Sequence, residues 1–197
     1  MINENFVILG FVLQALGSLK YLIETIQGRI KPNKVSFFLW ALAPMIAFAA
    51  EIKQGVGIQS LLTFSVGFFP LLIFFASFLN KKAEWKLRPF DFICGGLSLV
   101  GLLLWYITQV GNIAIMFAIL ADGLAALPTI VKTYHYPETE NGWLYLTGVI
   151  YALLTLLTIK TWVFAYYGFP LYILIVDLII FLLAQFKIGK RVSIKSV

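Results

Sequence analysis

Seven long apolar runs, separated by short polar breaks, constrain this chain more than any other feature. They cover residues 6–26, 35–52, 58–79, 92–110, 112–131, 143–159 and 162–186. A helix that crosses a bilayer needs about 20 apolar residues, within a range of roughly 17–25. Hydrocarbon offers no water to the backbone, so such runs must close their hydrogen bonds internally, as helices. The expected fold class is therefore an all-α membrane protein of seven transmembrane helices, one transmembrane domain over residues 1–197. Composition agrees, with 61% hydrophobic and 12% charged residues, against about 25% charged in an ordinary soluble domain. The opening MINEN lacks a basic segment and the first run is too long for a signal core, so that run is expected to be a retained helix.

The basic residues set an expected topology. Arg29, Lys31 and Lys34 follow the first run, Lys81, Lys82, Lys86 and Arg88 follow the third, and Lys132 follows the fifth. The tail 187–197 adds Lys187, Lys190, Arg191 and Lys195, whereas the alternate connections hold only Lys53 and Lys160. Cytoplasmic loops carry the excess of Lys and Arg, which predicts an external N-terminus and a cytoplasmic basic tail. The net charge of +6 is thus assigned to topology, and nucleic acid is not an expected partner. With one cysteine, Cys94, and one histidine, His135, an internal disulfide and a Cys/His metal centre are excluded. Neither HExxH nor a Ser/His pattern occurs. The chain is not expected to be an enzyme or to hold a metal or cofactor.

Polar residues inside the runs are the candidate functional positions. The stretch 112–132, NIAIMFAILADGLAALPTIVK, carries Asp122 near its middle and Pro128 a turn and a half later. A carboxylate at the centre of a membrane helix costs roughly 2.5–3.5 kcal/mol on insertion scales. At helical spacing Asp122 shares a face with Ala118, Ala125 and Thr129, away from the leucines. Pro128 frees the carbonyl of Leu124. Either this is a packing kink with the acid satisfied by a hydroxyl, or it is a polar site. The seventh run holds the second deep acid, Asp177. In the first, Gln14, Ser18, Tyr21 and Thr25 form a stripe, and Lys20 and Glu24 are four apart and able to pair. Further stripes are Ser36/Trp40/Pro44, Thr63/Gly67/Pro70 and Thr147/Tyr151/Thr155/Thr158. One hydroxyl stripe reads as helix packing; several converging on one interior read as a polar pathway.

The chain also repeats itself. VGFFPLLIFFAS, from Val66, aligns with YGFPLYILIVD, from Tyr167, so that Pro70 matches Pro170 and Ser77 falls opposite Asp177. The loops after the first and fifth runs each hold a basic exit and a proline, Pro32 and Pro137, followed by Trp40 and Trp143. Residues 6–79 and 112–186 then form two parallel three-helix repeats, with 92–110 as an inverting linker helix. Transporters are commonly built of such repeats, with the site near the midplane between them.

On these features, together with the Pro128–Thr129 pair and the Lys132-to-Trp143 loop, the chain resembles the PQ-loop/SWEET-like superfamily of seven-helix membrane transporters. It differs in having Tyr21 and Leu22 where the first repeat would carry proline, and in lacking a proline–glutamine pair. The resemblance implies a 3+1+3 fold and alternating access about hinges at Pro128 and Pro44. It implies a cavity lined by the third helix of each repeat, near Ser77 and Asp177, with Asp122, Trp40, Thr129 and Tyr151 as further solute contacts. Embedded acids in such proteins carry protons, which makes Asp122, Asp177 and Glu24 the coupling candidates, since a buried carboxyl group can trade its charge for a proton. Trp40, Trp105 and Trp143 are expected either to stack on a solute or to anchor helix ends. The expected function is transport of a small polar solute (a sugar, amino acid or vitamin-like molecule); the alternative is a non-transporting receptor or sensor on the same scaffold. Expected partners are the lipid bilayer and that solute, with a homo-oligomer left open. Lacking a signal peptide, an external glycosylation sequon or a sorting tail, the chain is assigned to a bacterial inner membrane.

Overall fold

The computed structural model describes residues 2–108 and 111–190, apart from the side chains of Trp105 and Thr108. The Trp105 ring and the tail residues Arg191 and Lys195 lie outside the described residues. Within them the fold is all-helical, without a strand. Seven α-helices follow in order: α1 (Phe6–Ile26), α2 (Lys34–Lys53), α3 (Ser60–Ala76), α4 (Pro89–Thr108), α5 (Gly111–His135), α6 (Gly142–Thr158) and α7 (Phe164–Phe186). Short 3-10 turns at Lys81–Ala83 and Pro137–Thr139 interrupt two of the loops.

Local chemistry explains where the helices start. Asn33 caps α2, its side chain accepting from the N–H groups of Val35 and Ser36, and Asn141 caps α6 through the N–H of Trp143. Pro89 opens α4, three residues earlier than the apolar pattern suggests; proline suits a first helical position because that N–H has no intrahelical partner. Pro44, Pro70, Pro128 and Pro170 all lie inside helices. Each forfeits one backbone hydrogen bond, yet α5 runs through Pro128 to His135, beyond its predicted end.

Four helices, α1, α2, α5 and α7, are long and apolar enough to cross a membrane. Ser60–Ala76, Pro89–Leu104 and Gly142–Thr158 are apolar but shorter. At 17 residues each, α3 and α6 reach about 25 Å. The outside is apolar, unlike that of a water-soluble protein. Leu16, Ile23, Phe75, Ile93, Ile107 and Leu157 face outward. The interior mixes small and polar residues, including Ala43, Ala118, Ala125, Ser98, Thr63 and Thr155, with large side chains such as Tyr21, Phe37 and Phe169. An apolar skin over such an interior is compatible with an integral membrane protein, where lipid replaces water and helices approach through small side chains.

The helices pack in a definite pattern. α3 lies against both α1 and α2, and α7 against both α5 and α6. α1 meets α6, and α2 meets α5. α4 rests on α5 and, more lightly, on α2. Gly10 allows the close approach of α1 to α6, since a side chain there would strike the Tyr151 ring.

Helix ends gather into two groups. At one, Asn80 Nδ2 donates to the Ile26 carbonyl (2.8 Å), the Lys31 N–H to the Thr139 carbonyl (3.0 Å), and Lys190 pairs with Glu138 (2.7 Å). At the other, the Ile2 N–H reaches the Leu157 carbonyl (3.1 Å), Lys160 pairs with Glu4 (2.6 Å), and Tyr166 donates to the Gly55 carbonyl (3.1 Å). The first group holds every described Lys and Arg that the sequence places on its basic side.

Candidate functional site

One interior cavity draws side chains from six of the seven helices, all but α4. It is lined by Gln14 of α1, Phe37 and Trp40 of α2, and Val66 and Pro70 of α3. From the other half come Asp122 of α5, Leu144 and Tyr145 of α6, and Ile173, Val176 and Asp177 of α7. The cavity volume is about 40 Å³. That is room for about three waters, or for one small solute with slight widening.

Asp122 is held but not saturated. Its Oδ2 accepts from the Tyr172 hydroxyl at 2.7 Å, while its main-chain carbonyl accepts from Trp40 Nε1 at 3.3 Å. Its Oδ1 is buried without a hydrogen-bond partner, and so is Gln14 Oε1. Asp177 leans against the backbone of α6 at Gly148, where even a β-carbon would collide with Oδ2. Glycine at that position gives the carboxylate its place. Buried acceptors of this kind cost free energy when left unpaired, so the cavity wall has capacity to bind hydrogen-bond donors.

A second cluster lies at the basic end and shares Tyr145 with the cavity. Glu140, from the loop before α6, pairs with Lys132 of α5 through Oε1. Its Oε2 accepts from the hydroxyls of Tyr21 (2.8 Å) and Tyr145 (3.0 Å). Lys132 also donates to the Lys31 carbonyl (2.6 Å) and sits 5.5 Å from the centre of the Trp85 ring. Nearby, Asn141 donates to Glu24, and Asn33 donates to Asp91 (3.1 Å). These contacts tie α1, α2, α4, α5 and α6 together beneath the cavity floor.

The structure brings Asp122, Asp177 and Trp40 to one cavity. It does not bring Ser77, Thr129, Tyr151, Glu24, Pro128 or Pro44 there. Ser77 caps α3 and donates to the Phe74 carbonyl (2.6 Å), so its hydroxyl is already engaged at a helix end. The Pro70–Pro170 alignment that set it opposite Asp177 is not echoed by the lining, where Pro70 and Asp177 are the residues that share the cavity. Thr129 is buried with a hydroxyl that has no partner, and Tyr151 is buried against Gly10. Pro128 borders a separate hollow at the basic end, beside Trp85 and Arg88, and Pro44 is buried within α2. Lys20 and Glu24 do not pair along the helix: Lys20 lies 5.0 Å from the Trp143 ring centre, and Glu24 is engaged by Asn141. Trp143 is exposed, which suits an anchor.

Sequence reasoning overlooked several residues. Tyr172 and Tyr145 stand in apolar helices where an aromatic raises no flag. Glu140 sits in a loop that reads as solvated, though Asn141 beside it is a capping residue type. Glu51 is a further buried acid, bound by Thr63 (2.9 Å) at one oxygen and unpartnered at the other; its place near the end of α2 made it look like surface.

No family model, no curated protein and no solved structure matches this chain.

Proposed function

We propose that this protein is a membrane transporter that moves a small polar solute by alternating access through the cavity at Asp122 and Asp177. The observation that carries the reading is the cavity itself, polar in part, and shared by α1–α3 and α5–α7 while α4 stays outside. The packing supports a 3+1+3 build in the manner of PQ-loop and SWEET-like transporters. Within each set the third helix lies between the first and second, and the sets join by the exchanged contacts α1–α6 and α5–α2. A twofold relation between repeats interchanges those two contacts, and α4 serves as the linker.

In this reading the conformation is closed at the basic end, where Glu140, Lys132, Tyr21 and Tyr145 form the floor. The positive-inside rule places that end in the cytoplasm, with the N-terminus outside and a bacterial inner membrane as host. Opening inward requires the floor contacts to part, with Pro128 and Pro44 as the flexible points. Asp122 and Asp177 are the candidates for carrying a proton with the solute. Proteoliposomes holding the purified protein, screened with labelled sugars, amino acids and vitamins with and without an imposed pH gradient, test the proposal. Solute uptake that collapses in Asp122→Asn and Asp177→Asn is expected. Absence of flux for every solute, small amines included, with ligand-dependent binding of a cytoplasmic protein, would replace the transporter with a receptor.

A further inference from the structure

We propose that the cavity selects a small organic cation, an amine carrying a short uncharged body, over neutral, anionic and zwitterionic molecules of the same size. This deepens the transporter reading and rests on it for the movement, though not for the binding.

The wall is asymmetric in hydrogen-bonding capacity. Two of its donors are occupied: the Trp40 indole N–H by the Asp122 carbonyl and the Tyr145 hydroxyl by Glu140. The Tyr172 hydroxyl behind the wall is likewise taken by Asp122. Its spare atoms include two buried acceptors. Gln14 is 5% exposed and Asp122 2%, and each presents an oxygen without a partner. Asp177 adds a second carboxyl group, and no Lys, Arg or His among the described residues lines the cavity. The nearest buried cation, Lys132, is committed to Glu140 and to the Lys31 carbonyl. An ammonium group supplies what is missing, up to three donors and a positive charge. A carboxylate would meet two carboxyl groups without a compensating cation, which disfavours amino acids as well as acids.

The rest of the wall argues for an organic cation over a metal ion. Phe37, Trp40 and Tyr145 present aromatic surface, and aromatic faces attract ammonium groups within about 6 Å. Val66, Ile173 and Val176 offer aliphatic surface that suits a short carbon body. A hard metal ion needs six or more oxygen ligands, and no group of three or more acidic or metal-binding side chains occurs among the described residues. The small volume limits the cation to a few heavy atoms in this conformation.

Four three-carbon probes with matched ends make the test: 3-aminopropanol, 1,3-propanediol, 3-hydroxypropanoate and β-alanine. Binding to the purified full chain in detergent is read by tryptophan fluorescence, with Trp40 in the wall as reporter, and by thermal shift. 3-Aminopropanol is expected to bind saturably, with the other three at least about 10-fold weaker. Asp122→Asn and Asp177→Asn are expected to weaken it by a similar factor, and Gln14→Leu by a few-fold. Equal binding of any other probe, or failure of 3-aminopropanol to bind the folded native chain, overturns the cation site, and this comparison needs no variant to fold. Uptake of 3-aminopropanol into proteoliposomes is measured in parallel. Selective binding without uptake removes the transporter and leaves the cation site. Uptake that prefers the diol keeps the transporter and removes the cation site.

Discussion

Glu140 and Asp122 are both buried carboxylates in a largely apolar bundle, and their surroundings differ in kind. Every oxygen of Glu140 is engaged, one by Lys132 and the other by Tyr21 and Tyr145. Asp122 has one oxygen on Tyr172 and one on nothing. Evolution of a stable core does not require the second arrangement, because an unpaired buried acceptor costs about 1–3 kcal/mol. A saturated acid binds a structure together. An unsaturated one at a cavity wall holds binding capacity in reserve. The contrast separates a residue that holds the bundle together from one that, in the proposed function, would meet the solute, and it can be attacked from both sides.

The largest effect is expected at the floor. Glu140→Ala leaves the Lys132 ammonium buried without its counter-charge, and breaking one member of a buried pair costs about 3–5 kcal/mol. Lys132→Met strands Glu140 in the same way. The double variant should lose clearly less than the two single losses added together, because neither charge is then left alone. Equilibrium unfolding in detergent micelles reads all three. A loss under about 1 kcal/mol in Glu140→Ala would erase the distinction between the clusters.

At the cavity the same change of charge should act in the opposite sense. Tyr172→Phe removes the hydroxyl that Asp122 depends on and should destabilise by about 1–3 kcal/mol. Asp122→Asn keeps the shape, removes a poorly satisfied charge, and should leave stability within about 1 kcal/mol of the parent or raise it. Function should show the reverse order, with flux lost in Asp122→Asn and largely kept in Tyr172→Phe. Comparison of melting temperatures and uptake rates in the two variants decides the matter. An Asp122→Asn protein as crippled in stability as Glu140→Ala would make Asp122 a structural residue.

How much of this was legible depended on how loudly each residue violates its surroundings. The seven helices could be read because run length in hydrocarbon is a hard constraint, and the membrane acids because a charge there is costly. Trp40 joined them through its place on a polar stripe. Gln14 was visible on such a stripe, but nothing in a single helix says that its oxygen lacks a partner. Tyr21 meets Glu140 across 119 positions, a contact no local pattern announces. The Ser77–Asp177 match failed to predict a shared cavity because two prolines in apolar helices set a resemblance of composition, not a register; a shift of one or two turns leaves the hydrophobic pattern nearly unchanged. Glu51 and Glu140 were hidden for a common reason: acids near helix ends read as solvated, and only the fold buries them.

The smallest expected effect sharpens the contrast from outside the bundle. Glu138 pairs with Lys190 at 2.7 Å with both side chains 50% exposed. The Lys190 ammonium donating to it holds the Glu138 carboxyl below its ordinary value. A carboxyl depressed in the folded state stabilises above its unfolded value of about 4.3, and that contribution fades as pH falls through the folded value. Half-exposed pairs contribute little, because water and salt screen them. Glu138→Gln should therefore cost less than about 0.5 kcal/mol at pH 7, less still as pH falls through the folded value of Glu138, and nothing at pH 7 in about 1 M salt, where screening reaches about 3 Å. Loss in Glu140→Ala should persist in that salt, since its partner is sealed from ions. Melting temperatures of both variants, taken at the two salt concentrations, measure the difference. Equal salt sensitivity in the two would show the floor to be open to solvent, and the closed conformation assigned to the basic end would have to be given up.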